Sequence, residues 1–160
     1  MVLSHEPGGT SLGKEVRRRL KQTGEAKISP LAELFLFAAS RAQLVAEVIR
    51  PSLGSGTMVI CDRYTGSTVA YQGYGRGLDL DSIQAVNTFA TQGLLPDLVI
   101  LLDIPVEIGL SRRGSAKQDR FEREEMAFHQ RVREGYLKMA AADPGRWLVV
   151  DAKLSKREVG

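Results

Sequence analysis

The chain has 160 residues, 43% hydrophobic and 26% charged, with 22 Lys and Arg against 19 Asp and Glu for a formal net charge of +3. That length suits one domain with a sizeable core, and six prolines and sixteen glycines without a period exclude collagen-like and low-complexity chains. No apolar run approaches the roughly 18 residues of a membrane span, Met1 to Thr10 shows no basic-then-apolar leader, and Cys61 is the lone cysteine, so a reducing cytoplasm is the expected home.

Met1 to Ser4 could form a short strand. His5-Glu6-Pro7-Gly8-Gly9-Thr10 then reads as a turn whose backbone can approach a ligand, leading into a helix that puts Lys14, Arg17, Arg18 and Lys21 on one face. Such a face is usually solvated, although an arginine one or two turns in can clamp a phosphate. Gly8 to Glu15 mimics a phosphate-binding loop, but Glu15 stands where a magnesium-binding hydroxyl is required, so this is not the nucleotide site.

Ser29 as N-cap and Pro30 at the first position open the next helix, with Leu31, Leu34, Phe35, Ala38, Ala42, Val45 and Ile49 as the expected core stripe. Phe37 and Arg41 lie one turn apart on another face. A ring and a guanidinium so placed can stack on a planar base and bond its edge; the alternative is a buried Phe37 beside a solvated Arg41.

Thr57 to Cys61, Leu98 to Leu102 and Trp147 to Val150 are continuous apolar runs, followed by Asp62, Asp103 and Asp151. They read as parallel strands buried on both faces, alternating with helices in an α/β architecture. Helices are expected from Asp79 to Gly93, from Pro105 onward, and from Asp119, where Glu122 completes a capping-box pattern. The last carries the stripe Phe121, Phe128, Val132, Tyr136 and Met139 and stops at Asp143-Pro144-Gly145.

Ligands in such sheets sit beyond the carboxyl ends of the strands. Asp62-Arg63-Tyr64 lies there, either as a structural ion pair or as the start of a ligand loop continuing through Ser67, Thr68, Tyr71, Gln72, Gly73, Gly75, Arg76 and Gly77. Gly73-x-Gly75 lacks the third glycine of a dinucleotide fingerprint, since Leu78 stands in its place. Arg112, Arg113, Lys117 and Arg120 flank Gly114-Ser115, a basic loop that is either solvated or able to close over phosphates. His129 has no ligand cluster around it, and Cys61 reads as core packing.

Together, Glu6-Pro7-Gly8-Gly9-Thr10, Phe37-Ala38-Ala39-Ser40-Arg41, Asp62-Arg63-Tyr64, Ser67-Thr68-x-Ala70-Tyr71-Gln72-Gly73 and Asp119-Arg120-Phe121-Glu122 resemble the bacterial thymidylate kinase family, in order and spacing, from about His5 to Ala152. The resemblance implies phosphoryl transfer from ATP to dTMP, giving dTDP for dTTP biosynthesis, with Mg2+, on a P-loop NTPase-like parallel sheet with helices on both faces. Phe37 would stack on thymine, Arg41 would bond its exocyclic oxygen, Ser67, Thr68 and Gln72 would line the base pocket, and Tyr71 would lie under the deoxyribose. Arg17 and Arg63 would hold the acceptor phosphate, with Glu6 nearby and Asp62 orienting Arg63 or a magnesium-bound water. Arg112, Arg113 and Arg120 would belong to a catalytic lid, and Arg112 and Ala152 would sit near adenine. The implied partners are dTMP and a second copy of the chain, with neither nucleic acid nor membrane.

His5 replaces the arginine most often seen before this Glu-Pro-Gly-Gly-Thr pattern. The family's first strand and its glycine-rich loop find no counterpart, so residues 1–160 are expected to form a single domain truncated at the N-terminus and cut short after Ala152. The slot left between the strands ending at Asp62 and Asp103 would be about 10 Å wide. Alternative readings are a non-catalytic remnant binding dTMP or a partner chain, and a nucleic-acid module using Lys14 to Lys21.

Overall fold

The computed structural model describes residues 1–22, 27–112 and 119–153. Strand β1 (Val2–His5) pairs in parallel with β2 (Val59–Asp62), in a register that sets His5 opposite Asp62. Between them, α1 (Ser11–Lys21) starts at Thr10, whose hydroxyl accepts from the Gly13 amide at 3.0 Å. Helix α2 (Pro30–Leu44) starts at Ser29, whose hydroxyl accepts from the Ala32 amide, and it runs through a π-helical turn (Val45–Ile49) into α3 (Arg50–Gly54). After β2, the short α4 (Thr65–Thr68) widens into a second π-helical turn (Val69–Gly75). Helix α5 (Leu80–Thr91) is capped by Asp79 at its start and ends where Gln92 turns left-handed at φ 53°. Strand β3 (Val99–Asp103), α6 (Val106–Ser111), α7 (Met126–Ala142) and β4 (Trp147–Asp151) follow, and β3 pairs in parallel with β4.

The expected α/β class is correct, and Met1 to Ser4 does supply most of a strand. Three expectations need correction. Of the strands predicted to be covered on both faces, β2 and β3 alternate between half-buried and exposed positions, leaving Ile60, Ile100 and Leu102 at 48%, 57% and 56% exposure, and β4 leaves the adjacent Leu148 and Val149 exposed. These strands form two separate two-stranded ladders, β1-β2 and β3-β4. Along α2 and the π-helical turn that follows it, Leu34, Ala38, Val45 and Ile49 are buried as expected, but Leu31 and Phe35 face outward. The last helix starts at Met126 instead of Asp119. Asp119 and Glu122 do exchange the capping-box bonds, the Asp119 amide donating to Glu122 at 2.9 Å and the Glu122 amide to Asp119 at 3.1 Å, yet they close an isolated turn.

Two apolar clusters hold these elements. Leu44, Val45 and Ile49 pack against Val59, Cys61, Tyr64 and Leu94, fixing α2 to the β1-β2 side. Ala70, Phe128 and Val132 pack with Tyr71, Tyr136 and Met139, fixing α7 to the π-helical turn. The second contact needs glycine: a Cβ on Gly75 would lie 2.6 Å from Phe128, and one on Gly135 would lie 2.5 Å from Tyr74.

Candidate active site

The parallel register brings the carboxyl ends of β1 and β2 side by side, and beyond them opens a cleft of about 270 Å³. Glu6 and Pro7 leave β1 into it, Arg17 reaches it from α1, and Phe37 and Arg41 from α2. Asp62 and Arg63 leave β2, while Ser67, Thr68, Tyr71 and Gln72 come from α4 and the π-helical turn. All ten candidates implied for the acceptor side therefore border one hollow. Arg63 has a left-handed backbone, φ 70°, which costs a residue with a Cβ about 1–3 kcal/mol and persists where its surroundings hold it. Its guanidinium lies 5.0 Å from the Tyr71 ring centroid and donates to the Tyr71 hydroxyl at 3.3 Å.

The turn at 119–124 contributes a wall that sequence reasoning assigned to a helix. Phe121 has its ring centroid 6.0 Å from that of Phe37 and 5.9 Å from that of Tyr71, so three aromatic rings line the cleft. Lys21 clasps Asp119 at 2.8 Å, tying this turn to the end of α1. Burial pushes the Asp119 carboxyl up, but Lys21 and the backbone amides of Glu122 and Phe121 outweigh it and hold it below the ordinary aspartate range.

Arg41 is not solvated: it is 1% exposed. Its Nε donates to Glu6 at 2.8 Å, Nη1 to Asn87 at 2.6 Å, and Nη2 to Thr68 at 2.8 Å and the Tyr64 carbonyl at 3.3 Å. A guanidinium has five N–H bonds, so one remains, on Nη1. Glu6, at 2% exposure, has its pKa raised by burial against the opposing pull of Arg41, and its Oε1 is buried without a hydrogen-bond partner. Cys61 packs beneath as expected, its thiol pushed up to about 12 by burial.

Behind the cleft lies a second network, which no motif announced. Glu33 is fully buried and accepts from Gln72 Nε2 at 2.6 Å, Arg76 Nε at 3.3 Å and Arg120 Nη2 at 2.5 Å. Arg120 also donates to the Leu20 carbonyl at 3.0 Å, so it is tied to the scaffold and does not border the cleft. Arg112 likewise stands away from the cleft, donating to the Ala152 carbonyl at 2.7 Å and to that of Lys153 at 3.0 Å, which brings the two residues implied for adenine together. Arg113 lies outside the described residues. Neither Glu33 nor Asn87 was singled out in the sequence. Glu33 stands in the first turn of α2, where a carboxylate is ordinary, and its partners lie 39 to 87 residues away.

Among the described residues no cluster of three or more His, Cys, Asp or Glu forms a metal cage. Mg2+ asks for less, since it keeps several waters and takes one or two carboxylates plus substrate phosphates. Asp62 and Glu6, with its unpartnered oxygen, are two such groups on one cleft.

A family model described as Thymidylate kinase matches residues 1–160. The thymidylate kinase of Dehalococcoides mccartyi is 56% identical over 158 residues, covering 99% of this chain and 76% of the relative. That of Geotalea daltonii is 51% identical, covering 94% of this chain and 74% of the relative. The crystal structure of thymidylate kinase from Ehrlichia chaffeensis superposes with a TM-score of 0.76 at 34% identity, covering 93% of this chain and 73% of that one. Arg63, Tyr71, Phe37 and Arg41 thus surround their shared hollow in a chain that belongs to the thymidylate kinase family of phosphotransferases.

Proposed function

We propose that the cleft binds dTMP and that the enzyme transfers the γ-phosphoryl group of ATP to it, giving dTDP for dTTP biosynthesis. The observation that carries this reading is the convergence of Phe37, Arg41, Arg63 and Tyr71 on one cleft. Phe37 stacks on thymine, the remaining Nη1 hydrogen of Arg41 bonds its exocyclic oxygen, and Ser67, Thr68 and Gln72 line the base. Tyr71 lies under the deoxyribose, where its ring crowds out a 2′-hydroxyl. Arg17 and Arg63 grip the phosphate dianion. Asp62 and Glu6 hold hydrated Mg2+, which when bound neutralises phosphate charge. On the donor side Arg112 and Ala152 receive adenine, while Arg112, Arg113 and Arg120 serve as lid cations. Arg120 must leave Glu33 to do so.

Calorimetry with dTMP tests the acceptor site. Stacking on an aromatic contributes roughly 1–3 kcal/mol per base, so Phe37→Ala should weaken dTMP binding about 5- to 150-fold. Unchanged affinity would remove thymine from this cleft.

Three finer readings accompany this one. The sheet takes one further parallel strand between β2 and β3, carrying a glycine-rich phosphate loop; support comes from the two unjoined ladders and the exposed Ile60, Ile100 and Leu102. On that reading residues 1–160 bind dTMP but bind ATP weakly, and ordinary dTMP-dependent ADP formation by them would refute it. The enzyme is cytoplasmic; among the described residues no helix is long and apolar enough to cross a membrane. It is also a homodimer through its helices, for which Leu31 and Phe35 on α2 and Phe89 on α5, 90% exposed, supply apolar surface. Phe89→Asp should then halve the mass seen by sedimentation.

A further inference from the structure

Gln72 borders the cleft, and the orientation of its amide is chemically determined. Glu33 lies behind the wall, does not line the cleft, and is fully buried. Its carboxylate is paired with two guanidiniums, Arg120 Nη2 at 2.5 Å and Arg76 Nε at 3.3 Å, and a carboxylate in that setting can only accept. The 2.6 Å contact with Gln72 must therefore come from the amide nitrogen, so Oε1 is the end of the amide that Glu33 does not hold. An amide in a less one-sided setting could present either end.

We infer that Glu33 is a positioning residue for base selectivity: by holding the Gln72 amide nitrogen behind the wall, it makes the base end of the cleft an acceptor, suited to a pyrimidine bearing an N3 hydrogen. This inference rests on the proposed dTMP reading of the cleft. Arg41 also lines the cleft and has one Nη1 hydrogen not used by Asn87, so on this reading the base end offers one donor and one acceptor. A 4-oxo pyrimidine such as thymine answers both, with its exocyclic oxygen and its N3–H. Cytosine answers neither, because its exocyclic group donates and its N3 accepts. A site built around a substrate hydrogen bond discriminates strongly against an analogue that leaves its groups unpaired.

The test is the ratio of dissociation constants for dCMP and dTMP, measured by calorimetry on the full chain. Glu33→Gln replaces an acceptor-only group by one that also donates, frees Gln72 to present either end, and should lower the ratio at least about tenfold. A folded Glu33→Gln variant with an unchanged ratio, or with both affinities reduced equally, overturns the proposal. In a Gln72→Leu background the same substitution should leave the ratio within about twofold, and a further fall there also overturns it. If Gln72→Leu by itself leaves the wild-type ratio intact, the base-pocket assignment fails first and takes the proposal with it. An arm that needs no substitution uses dTMP methylated at N3: binding at least about tenfold weaker than dTMP is expected, and equal binding overturns the proposal.

Discussion

Arg41 and Glu6 form the most deeply buried ion pair in the cleft wall, at 2.7 Å with both side chains 1% exposed. Removing one partner of such a pair strands the other charge, so Arg41→Met should cost about 3–5 kcal/mol in chemical denaturation, with part of the loss recovered in the Arg41→Met, Glu6→Gln double variant. Two of the carboxylates that line the cleft, Glu6 and Asp119, respond to pH in opposite directions. Glu6 has its pKa raised by burial, so its contribution is present below the ordinary glutamate value and is lost as pH rises through the higher, folded value. Asp119 has its pKa lowered, so its contribution is present above the ordinary aspartate value and is lost as pH falls through the lower, folded one. Melting temperature followed against pH should therefore flatten on the rising side in Glu6→Gln and on the acid side in Asp119→Asn. A variant that leaves its own limb unchanged would refute that assignment. The motif residues were legible because each motif is contiguous and its chemistry is local. Glu33 and Asn87 were not, because what they do depends on partners brought together from far along the chain.

At the scale of elements, helical periodicity identified the faces of α2 and α7 but could not say what covers them. Leu31 and Phe35 keep the spacing of core residues yet stand outward, while Arg41 on another face is buried because Glu6, Thr68 and Asn87 satisfy it. The capping pattern at Asp119 was read correctly as hydrogen bonding and wrongly as a helix start; its carboxylate satisfies the same amides in a lone turn. Glycine carries the closest packing between elements. Gly135→Ala would push a methyl into Tyr74, and Gly75→Ala one into Phe128, so each should lower stability by about 1–3 kcal/mol in urea unfolding despite alanine's better helix propensity. Stabilisation by either substitution would show that α7 can shift away from the turn at 69–75.

For the molecule as a whole, the family resemblance implies a slot between the strands ending at Asp62 and Asp103, although continuous apolar runs by themselves do not reveal which strands are neighbours. Among the described residues the strands form two ribbons, β1-β2 and β3-β4, that share no rung. What joins them is side-chain packing: α7 lies on the turn at 69–75 through Phe128 and Val132, and Tyr136 of α7 approaches Trp147 of β4 with ring centroids 6.5 Å apart. Units coupled by side chains alone can open one at a time. Deuterium uptake should therefore separate the strands into two groups, with amides around Leu101 and Val149 losing protection at a different free energy from those around Leu3 and Ile60. If all four strands exchanged in one step, the ribbons would be a single cooperative body, and loosening one half could not leave the cleft of the other intact.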